Sequence, residues 1–309
     1  MDPSPPMRGV WCATLSPLDE HSGLDAGRLA AHAQRLFAAG VDGIAPFGTT
    51  GEGQSFSVAE RRAGLDSLLA AGVDPRRILA ATGCAALPDA IELTRHAIAA
   101  GCAGALVLPP FFFKDVTDEG IYAAYSALID RVADDRLRLF LYHIPQVSGV
   151  GVSLAMLSRL AGAYPGVVAG VKDSSGNFDN SRALVAALPA LSIFVGHEPH
   201  LPALRKLGGA GTICGIANLY PGLLRRLYDR SLDANPPDEL AIVERFLAAI
   251  APFPIFAALK SLQAGLTGDP AWRALRAPLR GLTEGEASAL RQAVAAAGIV
   301  PARDAATRG

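Results

Sequence analysis

Short apolar runs of strand length alternate with amphipathic stretches of helical length through most of the chain. The runs fall at residues 9–15, 43–46, 78–81, 105–108, 137–142, 167–171, 192–195 and 211–214. Between the first two, Leu29, Ala33, Leu36 and Phe37 recur at i, i+4, i+7 and i+8, one face of a helix. Helical stretches close at Ala39-Gly40, Ala71-Gly72 and Ala100-Gly101, each ahead of a strand. Glycine takes the left-handed conformation that ends a helix without steric penalty. Ser57, with Glu60 three residues on, reads as a capping box, and Leu87-Pro88-Asp89 opens another helix.

Eight strand–helix units in succession predict an α/β fold, a (β/α)8 TIM barrel with a C-terminal helical extension. A doubly wound open sheet is the alternative. The count of eight, with no dinucleotide glycine fingerprint after the first run, favours the barrel. Beyond about residue 235 the strand signal stops, and 238–264, 271–280 and 284–297 read as helical. The expected organisation is a loose arm at 1–7, the barrel at 8–232 and a helical domain at 233–309. The longest apolar run, 246–259, carries Pro252 and Pro254 between Arg245 and Lys260. It is too short to span a bilayer and suits a buried helix pair broken at the prolines.

Composition narrows the partners. A net charge of -1 argues against a nucleic-acid partner, which would require a basic face. The opening MDPSPPM lacks the charged-then-apolar pattern of a secretory signal. Cys12, Cys84, Cys102 and Cys214 form no C-x-x-C pair and read as reduced core thiols of a cytoplasmic protein. Of 28 basic residues only four are lysines: Lys114, Lys172, Lys206 and Lys260. Chemistry that needs an amine therefore has four candidates.

In such a barrel, functional groups project from the C-terminal ends of the strands. The second run is followed by Gly48-Thr49-Thr50-Gly51-Glu52-Gly53, which reads either as a capped turn or as a loop whose backbone N–H groups hold a carboxylate. The fifth ends in Tyr142-His143, where the tyrosine is either a core aromatic or a proton relay. The sixth ends in Lys172-Asp173-Ser174. There the lysine either pairs with Asp173 or, desolvated, serves as a neutral amine that attacks a ketone. Lys114, Lys206 and Lys260 have polar neighbours and read as surface or paired lysines. The seventh run precedes His197-Glu198-Pro199-His200. His143, Glu198 and His200 together offer a metal-lyase alternative.

The segments GVDGIAPFGTTGEG (40–53), LYHIPQVSGV (141–150) and GVVAGVKDSSGN (166–177) resemble the dihydrodipicolinate synthase / N-acetylneuraminate lyase family. These are Schiff-base-forming class I aldolases and lyases on (β/α)8 barrels. The resemblance implies that Lys172 forms the Schiff base with pyruvate or another 2-oxo acid and that Tyr142 transfers protons, linked through Thr50. It further implies that Thr49, Thr50 and Gly51 bind the carboxylate and that Ile213 is the apolar contact to the keto acid. Ser148, Ser174 and Glu198 are the implied contacts to the rest of the substrate. No cofactor beyond the covalent imine is implied, and the partner expected is a small 2-oxo acid rather than a nucleic acid or membrane. Homotetramers built from dimers are usual in the family, and Phe111–Phe113 is apolar enough to lie at a subunit contact.

Departures from the pattern shape the expected substrate. Val147 stands where the synthase branch has an arginine for the aldehyde's carboxylate, and Pro110-Phe111-Phe112-Phe113 replaces a tyrosine-bearing segment. A true dihydrodipicolinate synthase is therefore not expected. YHIPQVSGV is similar to the sialic-acid lyase branch, but Pro199 and Gly215 replace polar residues there. The expectation is an aldolase or lyase acting on a 2-keto-3-deoxy sugar acid or sialic-acid-like substrate. A Schiff-base dehydratase is the runner-up, and a keto-acid-binding module without turnover is a third reading.

Overall fold

The computed structural model describes residues 6–235 and 237–299, so residues 1–5 of the expected arm and 300–309 lie outside the described residues. Eight strands alternate with helices: β1 (Gly9–Ala13), α1 (Ala26–Ala38), β2 (Gly43–Ala45), α2 (Val58–Ala70), β3 (Leu79–Ala81), α3 (Leu87–Ala99), β4 (Gly104–Val107) and α4 (Asp118–Val132). The second half continues with β5 (Leu139–His143), the single turn α5 (Pro145–Ser148), α6 (Leu154–Ala163), β6 (Val168–Asp173), α7 (Phe178–Ala187), β7 (Ser192–Val195), α8 (Leu201–Lys206), β8 (Gly211–Cys214) and α9 (Pro221–Asp229). The strands are parallel in the order β2-β1-β8-β7-β6-β5-β4-β3. A parallel bridge from Ile44 to Ile78 joins the two ends, so the sheet is a nearly closed (β/α)8 barrel.

Alternation along each strand sorts the core into two compartments. Trp11, Leu79, Leu106, Phe140, Tyr142, Phe194 and Ile213 fill the barrel interior. Their neighbours Val10, Cys12, Ala105, Leu139, Leu141, Ile193 and Val195 face the helices. The helices meet this outer layer with the faces that the periodicity predicts: in α1, Leu29, Ala33 and Leu36 are buried, and Phe37 lies under the Arg77 guanidinium. Ser57 and Glu60 form both halves of the capping box, and Gly40, Gly72 and Gly101 take positive φ at the helix ends.

After α9 come α10 (Asp238–Ile250), α11 (Ile255–Thr267) and α12 (Glu284–Ala296). The apolar run is a helix pair, bent by 112° at the proline-bearing break. Among the described residues no single helix is long and apolar enough to cross a membrane. The expected helix over 271–280 is not there. A short 3-10 turn at Pro270–Arg273 gives way to irregular chain. Pro278 cannot donate to a helical ladder, and the Arg276 N–H is spent on Glu52 Oε2 at 3.4 Å. All four cysteines are free; burial raises the thiol pKa of Cys12 and Cys214 and pushes that of Cys102 up to about 12.

Phe246 of α10 is fully buried edge-on against Tyr220, 5.2 Å between ring centroids. Phe246→Ala is expected to destabilise the protein by about 3–5 kcal/mol, because the vacated volume cannot collapse in a packed interface. Chemical denaturation followed by circular dichroism measures it.

Candidate active site

Parallel register decides which strand-end residues can meet. Tyr142 on β5 is aligned with Lys172 on β6, and Lys172 with Phe194 on β7. Aligned residues in a parallel pair share a face, so Tyr142 and Lys172 both enter the barrel mouth, and their chain neighbours His143 and Asp173 leave it. Lys172 is buried, and its Nζ lies 4.3 Å from the centroid of the Tyr142 ring. Among the described residues no carboxylate pairs with it within salt-bridge distance.

The reading in which Lys172 pairs with Asp173 is therefore corrected. The Asp173 carboxylate accepts from Ser175 N (3.0 Å), Asn180 Nδ2 (2.9 Å) and Ser181 Oγ (2.7 Å). It fastens the β6–α7 connection on the outer side of the strand, and the lysine keeps its amine for the cavity.

Tyr142 is buried, which alone would raise its pKa. The Lys172 charge and the side chains of Thr49, Lys172 and Ser174 outweigh burial and bring the phenol below its ordinary value. The threonine at the hydroxyl is Thr49. Thr50, the expected link, lines the same cavity beside Gly215. The loop is tightly specified. A Cβ on Gly51 would lie 2.6 Å from Thr14 O, and one on Gly53 only 1.7 Å from Phe47 O. Phe47 (φ 60°) and Glu52 (φ 54°) are left-handed without being glycine, a conformation that persists only where the surroundings impose it. Among the described residues the Thr50 and Gly51 N–H groups meet no protein acceptor.

Thr49, Thr50, Tyr142, Lys172, Ser174, Glu198 and Ile213 line one cavity of about 310 Å³. A second, more apolar cavity of about 380 Å³ adjoins it, sharing Thr49, Tyr142, Val147 and Phe256. Glu198 is buried and accepts from Ile216 N at 3.3 Å; burial raises its pKa against those hydrogen bonds and the Lys172 charge. Ser148 does not offer a free hydroxyl. Its Oγ donates towards Ile144 O (3.0 Å) and Val150 O (2.6 Å), closing the α5 turn.

The metal-lyase triad is not assembled. His143 Nδ1 accepts from Val152 N (2.9 Å) on the outer side of β5, and His200 packs against the rings of Phe178 and His197. Among the described residues no three His, Cys, Asp or Glu side chains converge as metal donors. Sequence reasoning also missed three residues around the site. Asn218 accepts from Leu15 N (2.9 Å) and donates to Ala13 O and Gly215 O (both 2.8 Å), tying β1 to the β8 loop. Lys260 and Arg276 hold the threonine loop from the C-terminal side. Lys260 had a visible signal: it sits among Ala257, Ala258, Leu259 and Ser261, the buried face of α11.

A parallel barrel with a buried lysine facing a tyrosine at its C-terminal mouth sets the frame for the comparison with known proteins. The dihydrodipicolinate synthetase family model matches residues 6–297, and the chain belongs to this family of aldolase-type carbon–carbon lyases. It is 36% identical over 291 residues to a DapA-like lyase of Chloroflexus aurantiacus, covering 93% of this chain and 95% of that protein. Dihydrodipicolinate synthase of Agrobacterium tumefaciens superposes with a TM-score of 0.87 at 34% identity, over 93% of this chain and 98% of that one. A Ruminococcus gnavus sialic acid aldolase shares the fold, with a TM-score of 0.85 at 21% identity over 94% and 95% of the two chains.

Removing the Lys172 charge leaves burial to dominate at Tyr142, so Lys172→Met is expected to move the phenol titration to higher pH. Ultraviolet phenolate titration of the variant, differenced against the same variant carrying Tyr142→Phe, isolates this one of six tyrosines. An unmoved titration would contradict the assignment of Lys172 as the cause.

Proposed function

We propose that the protein is a class I aldolase that cleaves, or in reverse condenses, a 2-keto-3-deoxy sugar acid or sialic-acid-like substrate through an imine on Lys172. The observation that carries the reading is the buried Lys172 amine beside Tyr142 without a carboxylate partner. The Lys172 Nζ attacks the C2 carbonyl, water leaves, and an iminium forms. Tyr142 takes the proton from the C4 hydroxyl as the C3–C4 bond breaks, and the electron pair moves into the iminium nitrogen. The aldehyde departs. Protonation of the enamine at C3 and hydrolysis then release pyruvate and restore the lysine. The reaction as written draws on no resident cofactor.

The Thr50 and Gly51 N–H groups, without protein acceptors, suit the substrate carboxylate, and Thr49 orients the Tyr142 hydroxyl. Ile213, fully buried in the cavity wall, suits the keto acid's apolar side. Gln146, Ser174 and Glu198 in the same cavity suit a hydroxylated chain. Val147 offers no charge to a second carboxylate, which disfavours dihydrodipicolinate synthesis. A dehydratase is the second reading, favoured by Glu198: a carboxyl in the substrate cavity, with its pKa raised by burial, suits proton donation to a departing hydroxyl.

A homotetramer in the cytoplasm is part of the same proposal. Phe112 and Phe113, 70% and 72% exposed and edge-on to each other, suit a contact between copies, and four free thiols suit a reducing compartment.

Borohydride with pyruvate is expected to leave a stable adduct on Lys172 by mass spectrometry and none in Lys172→Ala. A wild-type protein without adduct overturns the imine mechanism. Tyr142→Phe is expected to lower turnover by about 10²- to 10⁴-fold. Assaying 2-keto-3-deoxy acids for pyruvate release separates the two readings, since dehydration keeps the carbon chain whole.

A further inference from the structure

Two lysines in this chain are buried, and the aldolase chemistry uses one. Lys260, on α11, is fully buried and forms an ion pair with Glu52, whose side chain is equally buried. Its Nζ also donates to Ala274 O at 2.7 Å. Burial lowers the Lys260 pKa, with Glu52 opposing, as a desolvated pair requires. Such a pair adds little net stability, because desolvation offsets the attraction; its attested use is to fix one conformation among several.

The conformation at stake is that of the threonine loop. Glu52 is the left-handed residue that turns it, and the Glu52 N–H donates to Thr49 O at 3.1 Å. The adjacent Gly53 N–H donates to Gly48 O at 3.0 Å. A shift of Glu52 therefore moves Thr49, which faces the Tyr142 hydroxyl.

Arg276 grips the same loop from the segment after α11. Its N–H donates to Glu52 Oε2, its Nη1 to Ser55 O (2.7 Å), and its Nε to Ser22 O (2.8 Å). Its guanidinium pairs with Glu60 and lies 4.1 Å from the centroid of the Phe56 ring. Phe256 and Leu259 of α11 line the Lys172 cavity directly, so one helix holds both the wall and the clamp.

We infer that Lys260, Glu52 and Arg276 form a positioning clamp through which the C-terminal helices set the Thr49–Thr50 loop for binding the 2-oxo acid carboxylate. The inference rests on the proposed role of that loop. It assigns the C-terminal region a part in substrate affinity, although none of the three residues touches the reacting carbons.

The test compares wild type with the double variant Glu52→Gln/Lys260→Met, and with Arg276→Ala and Arg276→Lys. The double variant removes both charges, so it carries the test if Lys260→Met alone strands Glu52 and fails to fold. Thermal unfolding first establishes that each variant folds. Borohydride trapping over a pyruvate series then gives the half-saturating concentration and the saturated rate, and hydrogen exchange reports on peptides spanning residues 46–56.

Half-saturation is expected to rise about tenfold, with the saturated rate held within about threefold. Loop exchange should quicken while strand exchange stays put, and Arg276→Lys should recover part of the affinity lost in Arg276→Ala. Folded variants with unchanged half-saturation, or with only the saturated rate reduced, overturn the clamp. If wild-type protein traps no pyruvate at all, the aldolase reading falls, and loop exchange alone decides: an unchanged rate in the variants overturns the clamp as well.

Discussion

An ammonium group at the end of a strand inside a barrel is costly unless something faces it. Here the parallel register supplies Tyr142 in place of a carboxylate. The rest of the site follows from this pairing. Asp173, one residue on, must face outward, and it is used there to cap the β6–α7 connection. Thr49 and Ser174 gather at the phenol, and Ile213 and Phe194 keep the remaining wall apolar.

The threonine loop illustrates how a functional segment is held without being part of a regular element. Its path passes two left-handed non-glycine residues and two glycines that admit no side chain. Conformations of this kind persist because their surroundings over-determine them. Those surroundings come from both ends of the chain: Ser22 and Thr14 from the β1 side, Lys260 and Arg276 from the C-terminal side. The helices after the barrel thus contribute the far wall of the cavity and the support beneath its threonine loop.

Much of this was legible in the sequence, for identifiable reasons. Strand and helix periods differ, so eight units could be counted, and capping residues marked helix ends at Ser57 and Gly40. Lys172 and Tyr142 stood out because each closes an apolar run. Other assignments failed where the hydrogen-bond partner is set by the folded chain and not by composition. The stretch 271–280 looked helical by composition, yet Arg276 gives its N–H to Glu52, 224 residues away. Ser148 looked free for substrate, yet its hydroxyl is consumed within its own turn. Thr49 and Thr50 could not be told apart without the turn that aims them.

The sequence by itself determined the barrel, its strand ends and a lysine closing the sixth strand, since local periodicity is carried by neighbouring residues. Only the tertiary structure decided that Lys172 meets Tyr142 and not Asp173. It likewise decided between the surface and paired readings of Lys260, which is the buried counterion of Glu52. Register between strands and the packing of α11 onto the barrel mouth are relations between distant segments. They exist only once closure of the barrel brings those segments together.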